Sequence, residues 1–143
     1  MKKLAVVVCI AALIYIVCRV ASRQSNFSAH HPILSQVREN FSRLDPAYSN
    51  IPLLQGDSAY TENKETITLC LVNPDTNRYY DINTIMYVAL HELAHVTSES
   101  QGHGDEFRKK FSELLKRASE LGIYNPNKRM PSTYCKVSTG GGH

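Results

Sequence analysis

The chain has 143 residues, enough for one domain of ordinary size. An apolar fraction of 43%, with 7 Gly, 6 Pro and no periodic repeat, excludes a disordered, collagen-like or solenoid protein. The formal charge of +3 sits at one end: Lys2, Lys3, Arg19 and Arg23 flank the first apolar run, leaving 12 of the 16 basic side chains in residues 24–143 against all 13 acidic ones. A body that close to neutral is not expected to bind nucleic acid, which needs a basic face.

Leu4–Cys18 is an uncharged apolar run, and Val20 and Ala21 extend it beyond Arg19. A helix over residues 4–21 would be about 27 Å long, close to a bilayer core of ~30 Å. A single-pass transmembrane anchor is therefore expected, with Arg19 extending its head group to the interface. A cleaved secretory signal is the alternative, given the charged start and the small residues Ala21 and Ser22. Basic residues on the two sides nearly balance, with a lean towards an N-terminus inside and a translocated body. Ser22–His31 is polar and reads as a tether.

Pro32 suits the first turn of a helix, and Ile33, Leu34, Val37, Phe41 and Leu44 follow at helical spacing, so Pro32–Leu44 is predicted amphipathic and helical. Asp45-Pro46 ends it. Ile51–Leu54 reads as a short strand. Glu65–Val72 alternates Ile67, Leu69 and Leu71 with Thr66 and Thr68 and is the best strand in the chain. Asn73-Pro74-Asp75 turns the chain into a return strand at Arg78–Tyr80. Asp81 is an N-cap for a helix over Ile82–Thr97, whose apolar residues recur with helical period. Ser98–Gly104 is a loop, and Phe107–Leu121 forms the last helix, closed by Gly122 at the C′ position. Residues 138–143 read as a flexible tail. The expected fold is a small α+β domain over residues 32–137, with a short antiparallel sheet packed on helices, behind the N-terminal anchor.

Of the four cysteines, Cys9 and Cys18 lie in the apolar run as small apolar residues. Cys70 and Cys135 belong to no CxxC pair, so neither a thiolate zinc site nor a redox motif is indicated. They are expected to pair if the body is translocated and to be free if it is cytosolic.

The chemistry lies in His91-Glu92-Leu93-Ala94-His95. Residues i and i+4 share a helix face, so two imidazoles reach one zinc ion, and Glu92 falls beside the metal where it can hold a water. Both histidines lie off the apolar stripe of their helix. A catalytic zinc needs a third protein ligand, and His103 is the best candidate. Gly102 and Gly104 flank it and let the backbone approach a metal. It also precedes Phe107 by four residues, which aligns it with the inward face of the last helix. Glu99, Asp105 and Glu106 are fallback oxygen ligands, each better read as solvated or capping. His30, His31 and His143 read as tether and tail.

His91–His95 followed by Gly102-His103-Gly104-Asp105-Glu106-Phe107 resembles the HExxH…HGxxF pattern of the SprT-like and WLM zinc metallopeptidases. The run Tyr80–Thr84 before Tyr87–Val96 also resembles small membrane-anchored relatives encoded by large DNA viruses. The resemblance covers about Glu65–Leu121. It implies a zincin-like domain, zinc held by His91, His95 and His103, and Glu92 as catalytic acid/base. The metzincins need a glycine where Ser98 stands, so Met130 is not read as a Met-turn.

The function expected is a zinc-dependent peptidase acting on a protein or peptide, with Glu92 as general base. Glu65–Val72 is expected to be the edge strand that pairs with an extended substrate. Tyr87, Tyr124 and Tyr134 are candidates to stabilise an oxyanion. The alternative is a non-catalytic membrane-anchored protein with a structural zinc site used in partner binding. Glu92 argues against it, since a structural site needs no base.

Overall fold

Helix α1 spans Lys2–Ala29 in the computed structural model, which describes residues 1–29 and 31–138. The expected tether is thus helical as far as Ala29. The chain is next extended at His31, whose ψ of 125° is what a residue preceding proline adopts. Among the described residues no helix is long and apolar enough to cross a membrane, so nothing described shows the span expected over 4–21. His30, His143 and the tail beyond Ser138 lie outside the described residues.

Helix α2, Pro32–Leu44, has the predicted bounds. His31, read from the sequence as tether, is its N-cap: its Nδ1 accepts a hydrogen bond from the Ile33 amide at 3.3 Å. Leu34, Val37 and Phe41 form the buried stripe, each worth roughly 1.5–3 kcal/mol of apolar burial. Asp45 stops the helix and opens a 3-10 turn over Pro46–Asn50 through Oδ1, which accepts from the Ala47 amide at 2.9 Å.

The sheet differs from expectation in two ways. It has three strands, β1 (Leu53–Gln55), β2 (Tyr60–Glu62) and β3 (Thr66–Leu69), in the order β1-β3-β2. It is mixed, because β1 runs parallel to β3 while β2 is antiparallel to it. The strand expected at the edge is therefore central, and the edge belongs to β2, which pairs Thr61 with Ile67. Alternation in β3 is misleading for a physical reason: Ile67 and Leu69 are 0% exposed, but Thr68 on the opposite face is only 4% exposed. Both faces are covered, so the polar positions do not mark a solvated side.

Beyond β3 the chain forms a two-stranded ribbon, β4 (Val72–Asn73) with β5 (Arg78–Tyr79), close to the predicted return. A second hairpin, β6 (Thr133–Tyr134) with β7 (Val137–Ser138), was not foreseen. Cys135 and Lys136 turn it with positive φ, as two-residue hairpin turns require. A Cys70–Cys135 disulfide fastens this hairpin to the end of β3. The Tyr134 hydroxyl donates to the Cys70 carbonyl, and the Tyr80 hydroxyl accepts from the Cys135 amide at 2.9 Å.

Helix α3, Ile82–Thr97, has its predicted bounds and cap: Asp81 Oδ1 accepts from the amides of Asn83 and Thr84. Helix α4 spans Asp105–Glu120, two residues earlier than predicted, because Gly104 supplies the extended N-cap. Gly122 follows with φ 69°, a left-handed conformation that ends helices at low cost in glycine. The α3 residues Ile85, Met86, Ala89 and Leu93 fill the space between the sheet, α2 and α4. His91 and His95 lie against Phe107 of α4, and Glu92 between them in sequence meets Thr61 of β2.

Candidate metal centre and cleft

Helix α3 places His91 and His95 one turn apart on a rigid element, as the i, i+4 spacing demands. His103 arrives from the loop after α3. Gly102, with φ 79°, makes the turn immediately before it, a backbone state that favours glycine. The three imidazoles converge. His103 Nε2 lies 3.0 Å from His95 Nε2 and 3.2 Å from His91 Nε2, and one nitrogen from each ring falls within 4.8 Å of the others. A tetrahedral ion about 2.0–2.1 Å from each nitrogen would hold its ligands about 3.3–3.4 Å apart. The donor set therefore fits a metal ion in both type and spacing. Glu99, Asp105 and Glu106 do not join this cluster. Asp105 pairs with Arg108, and Glu106 accepts from the Glu99 and Ser100 amides.

Phe107 is the floor of the cluster. It is 2% exposed, and its ring centroid lies 4.3 Å from that of His95, 4.7 Å from His103 and 4.9 Å from His91. Phe111 adds an edge contact to His91 at 5.2 Å. Residues 103 and 107 are thus linked physically: the phenylalanine one turn into α4 supports the loop histidine that precedes the helix. Burial, then the neighbouring charges of His103 and Lys64, holds His95 below its ordinary range. That favours the neutral imidazole, the form that binds metal.

Glu92 is 7% exposed, and Thr61 Oγ1 donates to its Oε2 at 2.7 Å. Burial pushes the carboxyl above its usual value, while the Thr61 hydrogen bond pulls the other way. A carboxyl raised by burial holds a proton more tightly than an exposed one, which is the direction a general base requires.

Beside these groups opens a cleft of about 720 Å³. It is lined by Ala59–Thr61, Asn63 and Lys64 of the β2 hairpin, by His91, Glu92 and His95 of α3, and by Gln101–His103 of the following loop. None of the three tyrosines singled out from the sequence lines it. Tyr87 and Tyr124 pack against one another, Tyr87 also packs against Phe111, and Tyr134 is buried within the disulfide-linked hairpin, where burial drives its phenol far above the ordinary range. The tyrosine of the cleft is Tyr60, 49% exposed on the edge strand. Sequence reasoning missed Tyr60, Thr61 and Lys64 because β2 has only three residues and no periodicity. The signal available was Asn63 shortly before the strong strand, since asparagine tolerates the left-handed backbone found there, φ 52°.

The WLM domain family matches residues 59–138, more than half of the chain and including every residue of the histidine cluster and Thr61. The chain belongs to the WLM domain family. Viral proteins are similar to it: the uncharacterized protein 042R of Invertebrate iridescent virus 3 is 40% identical over 90 residues, covering 63% of this chain and 57% of that protein. The uncharacterized protein R325 of Acanthamoeba polyphaga mimivirus is 34% identical over 113 residues, covering 78% of this chain and 57% of that protein. This WLM chain spans little more than half the length of those two proteins. Among solved structures it is similar to Wss1 from Saccharomyces cerevisiae, with a TM-score of 0.55 and 20% identity over 63% of this chain and 79% of that one. At that identity the likeness concerns the fold alone. Membership of this family implies zinc as the metal, and the three imidazoles with their Phe107 floor fit it.

Proposed function

We propose that this WLM domain is a zinc-dependent peptidase. One observation carries the reading: three imidazole nitrogens converge on one point at the base of an open cleft, beside a buried carboxyl raised by burial. His91, His95 and His103 would hold the metal, and all three line the cleft. When bound, zinc polarises a scissile carbonyl and acidifies a water to a pKa of ~7. Glu92 takes the proton of the attacking water and delivers it to the leaving nitrogen. Thr61 keeps the Glu92 carboxylate aimed. Strand β2 offers its unpaired edge to an extended peptide, the role the sequence suggested for β3. Three ligands, an open cleft and a buried base all weigh against a structural zinc site, which closes its shell with four protein ligands.

We further propose that α1 anchors the chain in a membrane, with the domain on the oxidising side. The described side chains Val6, Val7, Leu13, Ile14, Ile16 and Val17 are each 56–63% exposed, an apolar surface that lipid would cover. The Cys70–Cys135 disulfide supports an oxidising compartment for the body, and so an N-terminus inside. Alkaline carbonate extraction should leave the full-length chain in the pellet. A soluble product beginning near Ser22 would instead indicate a cleaved signal.

The test of the peptidase reading is hydrolysis of a fluorogenic peptide library by the zinc-loaded chain in detergent micelles, wild type against Glu92→Gln. Loss of general acid–base help is worth roughly 10²–10⁴ in rate. Wild type should cleave and Glu92→Gln should not, with equal zinc content. Equal cleavage by both, or a fully metallated wild type that cleaves nothing, overturns the reading.

A further inference from the structure

Lys64 lies in the turn between β2 and β3, in left-handed backbone with φ 58°. Its Nζ donates to three successive carbonyls of the loop after α3: Ser98 at 2.6 Å, Glu99 at 2.7 Å and Ser100 at 2.7 Å. An ammonium has three donors and no acceptor, so one stretch of chain satisfies all of its capacity. Ser98 is also the C-cap of α3, where a helix presents unpaired carbonyls and the negative end of its dipole. The other side of the same loop is held as well. Glu106 of α4 accepts from the Glu99 amide at 2.7 Å and from the Ser100 amide at 2.9 Å. The carbonyls of this segment are thus tied to the β2–β3 turn and its amides to α4.

Three residues beyond Ser100 the loop delivers His103. His91 and His95 are fixed by a sixteen-residue helix, whereas His103 stands on the loop, outside any helix or strand. Its place in the cluster therefore depends on how firmly that loop is held. We infer that Lys64 is a positioning residue for the metal centre: its ammonium orders the Ser98–Ser100 segment so that His103 is already in place to ligate. The same contact ties the ligand loop to the hairpin whose edge strand forms the cleft wall and carries Thr61, so one turn registers base, ligand and substrate wall against each other. Preorganisation of this kind shows as affinity, because ordering a loose loop would otherwise be charged against metal binding.

The inference rests on the metal reading above, and the test separates the two. Zinc affinity is measured by competition with a chromophoric chelator on the full chain in detergent micelles, for wild type and Lys64→Met. Methionine keeps an apolar stem and removes every donor. Lys64→Met should bind zinc about 10–100-fold more weakly, the range for groups that orient ligands without touching metal. At saturating cobalt its visible spectrum should match wild type, because the ligands themselves are unchanged. A role confined to general stability would lower the unfolding midpoint of the metal-free protein and leave chelator competition unmoved. If Lys64→Met does not fold by circular dichroism, Lys64→Gln is measured against the same bounds. Zinc affinity equal to wild type, or tighter because a nearby positive charge has gone, overturns the inference. A wild type that binds no zinc overturns the metal reading and the inference with it.

Discussion

Thr61→Val removes one hydroxyl and preserves the shape and β-branching of the side chain, so β2 should keep its pairing with β3. The hydroxyl donates to Glu92 Oε2 at 2.7 Å and lies 3.1 Å from the Glu92 carbonyl. A hydrogen bond to a charged group contributes about 1.5–3 kcal/mol, and Glu92 is too buried for water to replace it fully. If the bond serves to hold the carboxylate in its working orientation, its loss should lower kcat/KM by roughly 10–100-fold. The direction of the pH effect also follows. The Thr61 bond favours the ionised carboxylate, opposing the effect of burial, so without it Glu92 stays protonated to higher pH. The acidic limb of the kcat/KM profile should therefore move upward. Thr61→Ser keeps the donor and should restore both quantities, while zinc content should stay constant in all three proteins. A Thr61→Val enzyme with wild-type kcat/KM and an unmoved acidic limb would refute the assignment of Thr61 to Glu92.

Phe107→Ala removes the shared floor of three imidazoles; it should destabilise the fold by about 3–5 kcal/mol and weaken zinc binding, read by denaturant unfolding and chelator competition. Reducing the Cys70–Cys135 bond opens a closure of 65 residues, which the chain-entropy treatment values at about 4 kcal/mol, so a thermal melt with reductant should fall well below the oxidised protein. Hydrogen bonds from Ser100 and Glu99 hold the Glu106 carboxyl at about 2 against an ordinary 4.5, so its contribution to stability is present above pH 4.5 and lost as pH falls towards 2. The difference in urea midpoint between wild type and Glu106→Gln should accordingly shrink across that interval.

Helices α2, α3 and α4 were legible because each carries local punctuation, whereas α1 runs on through the expected tether to Ala29. Pro32, the Asp81 cap and Gly122 mark ends that the structure reproduces within two residues; α2 and α4 bury one stripe, while α3 is buried on most of its circumference. The histidine cluster was legible for the same reason: His91 and His95 are bound by helical spacing, and His103 by its offset from Phe107. Interactions across long sequence separations were not. Thr61 and Glu92 are 31 residues apart, Lys64 and Ser98 34, and no local pattern relates them. Strand β2 is too short to show a period, and its absence from the reading made β3 look like an edge. The Cys70–Cys135 bond was left open because its formation depends on compartment and on a hairpin whose two-residue turn has no glycine to announce it.

The central claim is that three histidines hold one zinc and leave a position open to the cleft. X-ray absorption spectroscopy of the zinc-loaded full chain tests this most directly. The spectrum should show one zinc per chain, three imidazole nitrogens at about 2.0–2.1 Å, one further light ligand, and two imidazoles in His103→Ala. A sulfur ligand, a closed shell of four protein ligands, or an imidazole count unchanged in His103→Ala would contradict it.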